Sequence, residues 1–431
     1  MEPDGTISRC PVAHDLHLLD PEMVRNPFPA LGHWREQTPV FYLPELDHYV
    51  ITRYAEIEQV LLDRDTWSSA NTMAPLWPVC PAAQEVLNSG FARVPTLTNA
   101  DPPRHGPMRK SVLAVMTPRR LRALEPVLRE FATGLVESFR DQPVVDLVDA
   151  FCFPFPGFAA FSLIGFPPGD TDMLKDWSRG RALLTYGSIS EDEQVRGARD
   201  VLAMWRYVEE FVARRWADPV DDMTSDLVQL SCDKPEQLDQ VDVVNIVYSL
   251  ALAGHETTCN TMGNGLLALL RHRDQWQRLI DDPSLIENTV EEILRFDGAI
   301  IQHRRIAKVD TVVGGVEIPA GARVMLALAS GDHDPAEFGA DAEEFRVDRA
   351  EAEVHLAFGK GAHLCLGATL ARLELRIALE LLTTMTPDME LVPDQAIEFK
   401  PSPVMRSLQA LPVAPRGLRH ARERATEGST S

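Results

Sequence analysis

The sequence predicts a mainly α protein with a smaller β region, on three observations. Apolar residues three and four apart run almost unbroken through residues 120–286, the spacing that puts one face of a helix in a core. Short runs rich in β-branched and aromatic residues, bounded by Gly and Pro, cluster near the two ends at 39–54 and after residue 305. No Ser, Gly or Pro-rich linker and no fixed-period repeat interrupts 20–410, so one large body is expected over 21–414. A chain of 431 residues with 45% hydrophobic content can bury a core of that size. Residues 1–20 and 415–431 have the polar composition of flexible termini.

The elements follow in order. PVFYLPELDHYVITRY reads as two strands around a polar turn. The helical stretch has turns at 167–169, 218–222 and 233–235, where Pro, Gly and Asp gather. Residues 242–271 read as one helix, which the helical rise makes roughly 45 Å long. In DDPSLIEN, Ser284 followed by Glu287 reads as a capping box opening the next helix. Beyond Arg305, Gly314 and Gly315 predict a tight hairpin and residues 319–321 a second turn.

The net charge of −22 disfavours nucleic acid or an anionic membrane as main partner, since both reward clustered Lys and Arg. Six scattered cysteines form no paired framework and suit a reducing cytoplasm. The N-terminus lacks a basic stretch leading into an apolar run, and the most apolar segment, 150–166, is short and broken by Pro154, Pro156 and Gly157; neither a leader nor a membrane span is expected.

Chemistry concentrates at FGKGAHLCLG, Phe358 to Gly367. Cys365 stands between glycines just before a helix marked by Leu366, Leu370, Leu373, Ile377 and Leu381, where partial positive charge favours thiolate. Gly359, Gly361 and Gly367 thin the backbone enough to approach a flat macrocycle, while His363 and Lys360 are at hand for its carboxylates. This is a way to present a thiolate to a heme iron. Upstream, AGHETT (253–258) sets an acid beside an alcohol in the middle of the long helix. Such a pair can relay protons through water to heme-bound dioxygen, and Gly254 leaves room for it.

With Phe358, Gly359, Gly361, His363, Cys365 and Gly367 all in register, the segment resembles the heme-ligand loop of the cytochrome P450 family. The resemblance extends over about 21–411 and implies the triangular P450 fold, heme b (iron protoporphyrin IX) as cofactor and Cys365 as its metal ligand. It implies Glu256 and Thr257 as the catalytic acid and alcohol. Phe358, Gly359, His363 and Gly367 in the loop, His105 and Arg109 in DPPRHGPMR, and Arg305 fall at its cofactor-binding positions, with Arg304 adjacent. His355 is read either as a further propionate contact or as a strand cap. Glu292 and Arg295, three apart in EEILR, with Arg349 of FRVDR, match a structural ion-pair cluster. Leu252, Ala253, Ile300 and Ile301, joined by Trp77 and Val404, are expected to face substrate. LASGDHDP departs from the usual bacterial pattern at Gly331, Asp332 and His333, which bears on packing.

The implied activity is insertion of one oxygen atom from O2 into a small apolar, aromatic or alkoxy substrate, by hydroxylation or oxidative dealkylation. Alternatives are a peroxide-driven peroxygenase of the same fold and a non-catalytic heme sensor. PVFYLPEL, WRYVEEF, RRIA and MELVPDQ are most similar to heme domains of bacterial members fused to their own reductase. No flavin or iron–sulfur segment follows Arg416, so electrons are expected from a ferredoxin and its NAD(P)H-dependent reductase. Arg104, Lys110, Arg119, Arg120, Lys360, Arg372 and Arg376 would form the basic docking patch.

Overall fold

The computed structural model describes residues 10–92 and 94–418; most of the two expected flexible termini lies outside them. From Pro11 the chain is already docked: Ala13 and Pro11 exchange backbone hydrogen bonds with Tyr42, and Leu16 and Leu18 are buried. That narrows the expected flexible N-terminus.

The strands at the two ends of the sequence meet in one sheet. Its order is Val40–Leu43, His48–Ile51, Arg323–Leu326, His303–Ala307, Trp67–Ser68. The N-terminal hairpin joins the C-terminal strands through one parallel pairing, Tyr49 opposite Val324. Gly314 and Gly315 turn the Thr311–Val313/Val316–Ile318 hairpin at φ 55° and 80°. Side chains with a Cβ resist that conformation. A second, smaller sheet lies beyond what periodicity can show. Val145–Asp146, inside the helical stretch, pairs with Pro412–Ala414, which also pairs with Glu390–Leu391; a two-residue strand leaves no alternation to read.

The expected long helix is two helices, Gln240–Ala253 and Glu256–Arg271. Between them Gly254 passes so close to the Pro154–Ile164 helix that a Cβ would lie 3.1 Å from the Ala160 methyl. His255 turns inward, fully buried, with its Nε2 3.3 Å from the Phe153 carbonyl oxygen and its Nδ1 3.4 Å from Ser178 Oγ. The Thr257 hydroxyl donates to the Ala253 carbonyl at 2.8 Å. That bond competes with the backbone ladder there.

The cap before Ile286–Asp297 also differs. Asp282, not Ser284, accepts the free amide, and a 3-10 turn at Pro283–Leu285 leads into the helix. An aspartate reaches the second amide of a Pro-initiated turn, so Ser284 instead donates its hydroxyl to Asp282 at 2.6 Å. Among the described residues no helix is long and apolar enough to cross a membrane.

Candidate active site

Cys365 ends a tight loop. Its amide donates to the Phe358 carbonyl at 2.9 Å, and two residues on, Gly367 caps helix Ala368–Met385. Gly359 and Gly361 hold φ 65° and 69°, and a Cβ on Gly361 would press to 2.6 Å from the Leu61 carbonyl oxygen. Here glycine is required. Burial pushes the Cys365 thiol up; the Gly367 amide, the Arg109 and Arg372 charges and the Ala368 amide oppose it, all favouring thiolate.

The sulfur opens onto a cavity of about 640 Å³. Leu252, Ala253, Gly254, Glu256 and Thr257, from the break between the two central helices, form another wall of it, joined by Ile300 and Val404. Ile301 does not belong there. It packs with Phe41, Leu43 and Met325 in a separate core behind the sheet, as does Trp77, because neighbouring residues in extended chain face opposite ways.

At one edge of the cavity lie the cationic candidates. Arg109, on helix His105–Val115, and Arg305, on strand His303–Ala307, line it together with His363. The His105 and His363 rings stand 4.1 Å apart, and the buried Nε2 of His105 has no partner among the described residues. Burial, then the neighbouring His105 and Arg305, push His363 down to about 4, so it is neutral and can donate one N–H. Arg305 donates to His303 Nδ1 and to the Arg304 carbonyl, both at 2.8 Å; neither it nor Arg109 meets a carboxylate among the described residues. A thiol on a thinned loop, an apolar cavity and unpaired donors at its rim together fit a flat ring system with acidic side groups.

Two expected neighbours point elsewhere. Lys360 is drawn to Glu58 and the Tyr54 hydroxyl, at 2.7 and 2.6 Å. His355 neither reaches the cavity edge nor caps a strand: its Nε2 lies 3.3 Å from Glu291 Oε2, and Glu291 accepts two N–H groups from Arg372 at 2.7 and 2.8 Å.

Glu292, Arg295 and Arg349 come together away from the cavity. Glu292 accepts from Arg295 at 2.7 and 2.8 Å and from Arg349 at 3.3 Å, all three buried. Arg295 also donates to the carbonyls of Asp332, Ala342 and Glu344.

On the facing wall, Glu256 sits in the interior. Burial pushes its carboxyl up, with Lys400 and Arg179 opposing. Sequence patterning does not mark Arg181 or Arg304 as cavity residues, nor Glu374, whose two buried carboxyl oxygens have no partner among the described residues. Glu374 stands four residues after Leu370 on the same helix face, and Leu370 also lines the cavity, so that spacing was a usable signal.

The comparisons with known proteins agree. The sequence profile of the family described as Cytochrome P450 matches residues 197–385. The chain is 33% identical over 393 residues to the vitamin D(3) 25-hydroxylase of Pseudonocardia autotrophica, covering 90% of this chain and 94% of that one. Cytochrome P450 CREJ, solved with (4-ethylphenyl) dihydrogen phosphate, is 36% identical, with a TM-score of 0.89 over 93% of this chain and 99% of that one. An intact type IV self-sufficient cytochrome P450 monooxygenase is 32% identical, with a TM-score of 0.91 over 98% of this chain and 56% of that larger one.

Proposed function

We propose, from the premise that this chain belongs to the cytochrome P450 family and is a monooxygenase, that it oxidises a small, mainly apolar substrate, aromatic or alkoxy, by hydroxylation or dealkylation. One observation carries the reading: Cys365 and the Glu256–Thr257 pair line one apolar cavity whose edge carries unpaired cationic and imidazole donors. Heme b, when bound, would supply the reductive activation of O2 and transfer of one oxygen atom to carbon. Cys365 would hold its iron through the thiolate, backed by the Gly367 and Ala368 amides. Arg109, Arg305, His105 and His363 would hold its propionates, with Phe358, Gly359 and Gly367 shaping the loop against it.

The remaining roles belong to the facing wall. Glu256, kept toward its neutral form by burial, would take protons from solvent and pass them on. Thr257, its O–H donated to the Ala253 carbonyl, would turn its oxygen lone pairs to the relay and orient the water that carries them. Leu252, Ala253, Ile300 and Val404 would exclude water and seat the substrate. An aromatic substrate is supported by the ligand of the CREJ structure.

Electrons would come from a ferredoxin and its NAD(P)H-dependent reductase. The docking patch is smaller than its sequence suggests. Arg104, Arg120, Lys360, Arg372 and Arg376 are tied to Asp242, Asp226, Glu58, Glu291 and Glu125. Lys110 and Arg119 remain without a carboxylate among the described residues, and Lys110 lies one helical turn from the exposed Leu113. A cytoplasmic location fits six unpaired cysteines.

The test is the absorption difference spectrum of reduced protein with and without carbon monoxide. A strongly red-shifted Soret band is expected from thiolate ligation; a histidine-type band, or none, would overturn the reading.

A further inference from the structure

We infer that the substrate carries an anionic group, a carboxylate, sulfate or phosphate, and that Arg181 and Arg304, flanking Tyr186 on the cavity wall, bind it. The inference rests on the oxidation proposed above and narrows its substrate class.

Charge distribution comes first. The chain has 64 acidic side chains against 42 Lys and Arg, yet four arginines line this one cavity: Arg109, Arg181, Arg304 and Arg305. Among the described residues none of the four is ion-paired with a carboxylate, although arginines elsewhere, such as Arg295, Arg349, Arg372 and Arg406, are. Arg109 and Arg305 stand with His105 and His363 at the edge assigned to the two propionates, two charges for two. Arg181 and Arg304 are left over.

Their surroundings do not neutralise them. Arg181, on helix Thr171–Tyr186, makes one long contact, 3.5 Å to the Met73 carbonyl, and its buried Nε has no partner among the described residues. Its guanidinium lies 5.7 Å from the centre of the Phe91 ring. Arg304 is buried; one of its nitrogens donates to the Thr72 and Ala74 carbonyls, at 2.7 and 2.8 Å, and its guanidinium stands 5.8 Å from the Tyr186 ring. Tyr248, whose ring is 5.7 Å from that of Phe91, contributes a buried hydroxyl with no partner among the described residues. Burial pushes the Tyr248 phenol up to about 12, so the group remains an O–H donor. The two carboxyls on the cavity wall, Glu256 and Glu374, are both pushed up by burial and are poor counterions.

A guanidinium taken out of water without a counterion is costly, and backbone carbonyls offset only part of that cost. A ligand anion would offset the rest. It would do so strongly, because apolar walls of Phe91, Leu87, Leu184 and Val79 keep the local dielectric low and salt at a distance. The same walls accept the apolar body of the molecule, which fixes one end by charge and leaves the other free to lie over the reacting centre.

The test is isothermal titration calorimetry of the heme-loaded protein with matched pairs: 4-ethylbenzoate against 4-ethylbenzamide, and 4-ethylphenyl phosphate against 4-ethylphenol. At least one acid is expected to bind tighter than its neutral partner by about tenfold or more, as for a charge-assisted hydrogen bond. Arg181→Gln should abolish most of that preference while leaving the neutral partner's affinity unchanged, and Arg181→Lys should retain part of it. Equal binding within every pair, no acid binding below millimolar, or equal weakening of acid and neutral ligand by Arg181→Gln would overturn the inference. Acid preference without oxygen-dependent turnover of the bound acid would support the anion site and count against the proposed oxidation, so the two fail separately.

Discussion

Behind the Cys365 loop the Glu291 and Glu292 ion-pair clusters are saturated with partners, whereas the buried polar groups across the cavity are not. Glu292, Arg295 and Arg349 close on one another and on carbonyls, and Glu291 holds both Arg372 and His355. On the other side Arg181 Nε, Tyr248 OH and Ser249 Oγ are buried with no partner among the described residues. The first arrangement is what a rigid ligand loop needs: satisfied networks in low dielectric fix one geometry. The second is what a site for exchangeable molecules needs, because polar groups already satisfied by the protein have nothing left to offer. Changes on the Cys365 side should therefore damage the protein, and changes on the other should damage only its chemistry.

The largest effect expected is from Cys365→Ala. It should abolish the red-shifted carbon monoxide band and lower oxygen-dependent turnover by more than about 10³-fold, since no other thiol lines the cavity among the described residues. A surviving red-shifted band in this variant would remove Cys365 from its role. Next comes the ion-pair cluster. Arg295→Leu leaves Glu292 fully buried with half its donors gone. It should cost about 3–5 kcal/mol in urea unfolding, with heme content of the purified protein falling in step. A loss below about 1 kcal/mol would mean that the saturated side is not what holds the loop.

On the unsaturated side the pattern reverses. Glu256→Gln should lower turnover by about 10²-fold or more, the range for a lost proton-transfer group, while stability and the carbon monoxide spectrum stay as in the parent. Thr257→Ala should consume reduced cofactor to make hydrogen peroxide in place of product. Tight coupling in that variant would take Thr257 out of the relay, and unfolding of either variant would break the contrast between the two sides.

That contrast also explains what could be read from the sequence. The Cys365 loop is contiguous, Glu292 and Arg295 are one helical turn apart, and Glu256 and Thr257 are adjacent; the information is local. The two sheet regions and the helical middle were legible from periodicity for the same reason. What depends on the approach of distant segments was not. Ile300 and Ile301 are equally apolar, and only the sheet behind them decides which one faces the cavity. The break at Gly254 needed the nearness of Ala160, and His255 turned inward toward Phe153 and Ser178. Lys360 looked free until Tyr54 and Glu58 arrived from some 300 residues earlier. Arg181 is one arginine in a polar helix, and nothing local separates it from a solvated one.

The smallest effect expected tests an exception on the saturated side. Asp332 is buried next to the Glu292 cluster, accepting the Leu356 amide at 2.6 Å, and no cation neutralises its carboxylate by direct contact among the described residues. Burial pushes its carboxyl up to about 8, against the Leu356 amide and the charges of Arg295 and Lys360. The folded protein therefore binds one more proton than the unfolded chain between the ordinary value of 3.8 and about 8. Stability from this group is fullest below that window and falls as pH rises through it, levelling off above about 8. Asp332→Asn keeps an acceptor for Leu356 and removes the titration, although its amide protons bring a constant cost of their own. The slope, not the absolute stability, is then the readout. Between about pH 6.5 and about pH 8.5 the variant should gain on the parent by about 2 kcal/mol in urea unfolding. Parallel curves would show that Asp332 is ionised in the folded protein, and that even this group on the Cys365 side has found a partner for its charge.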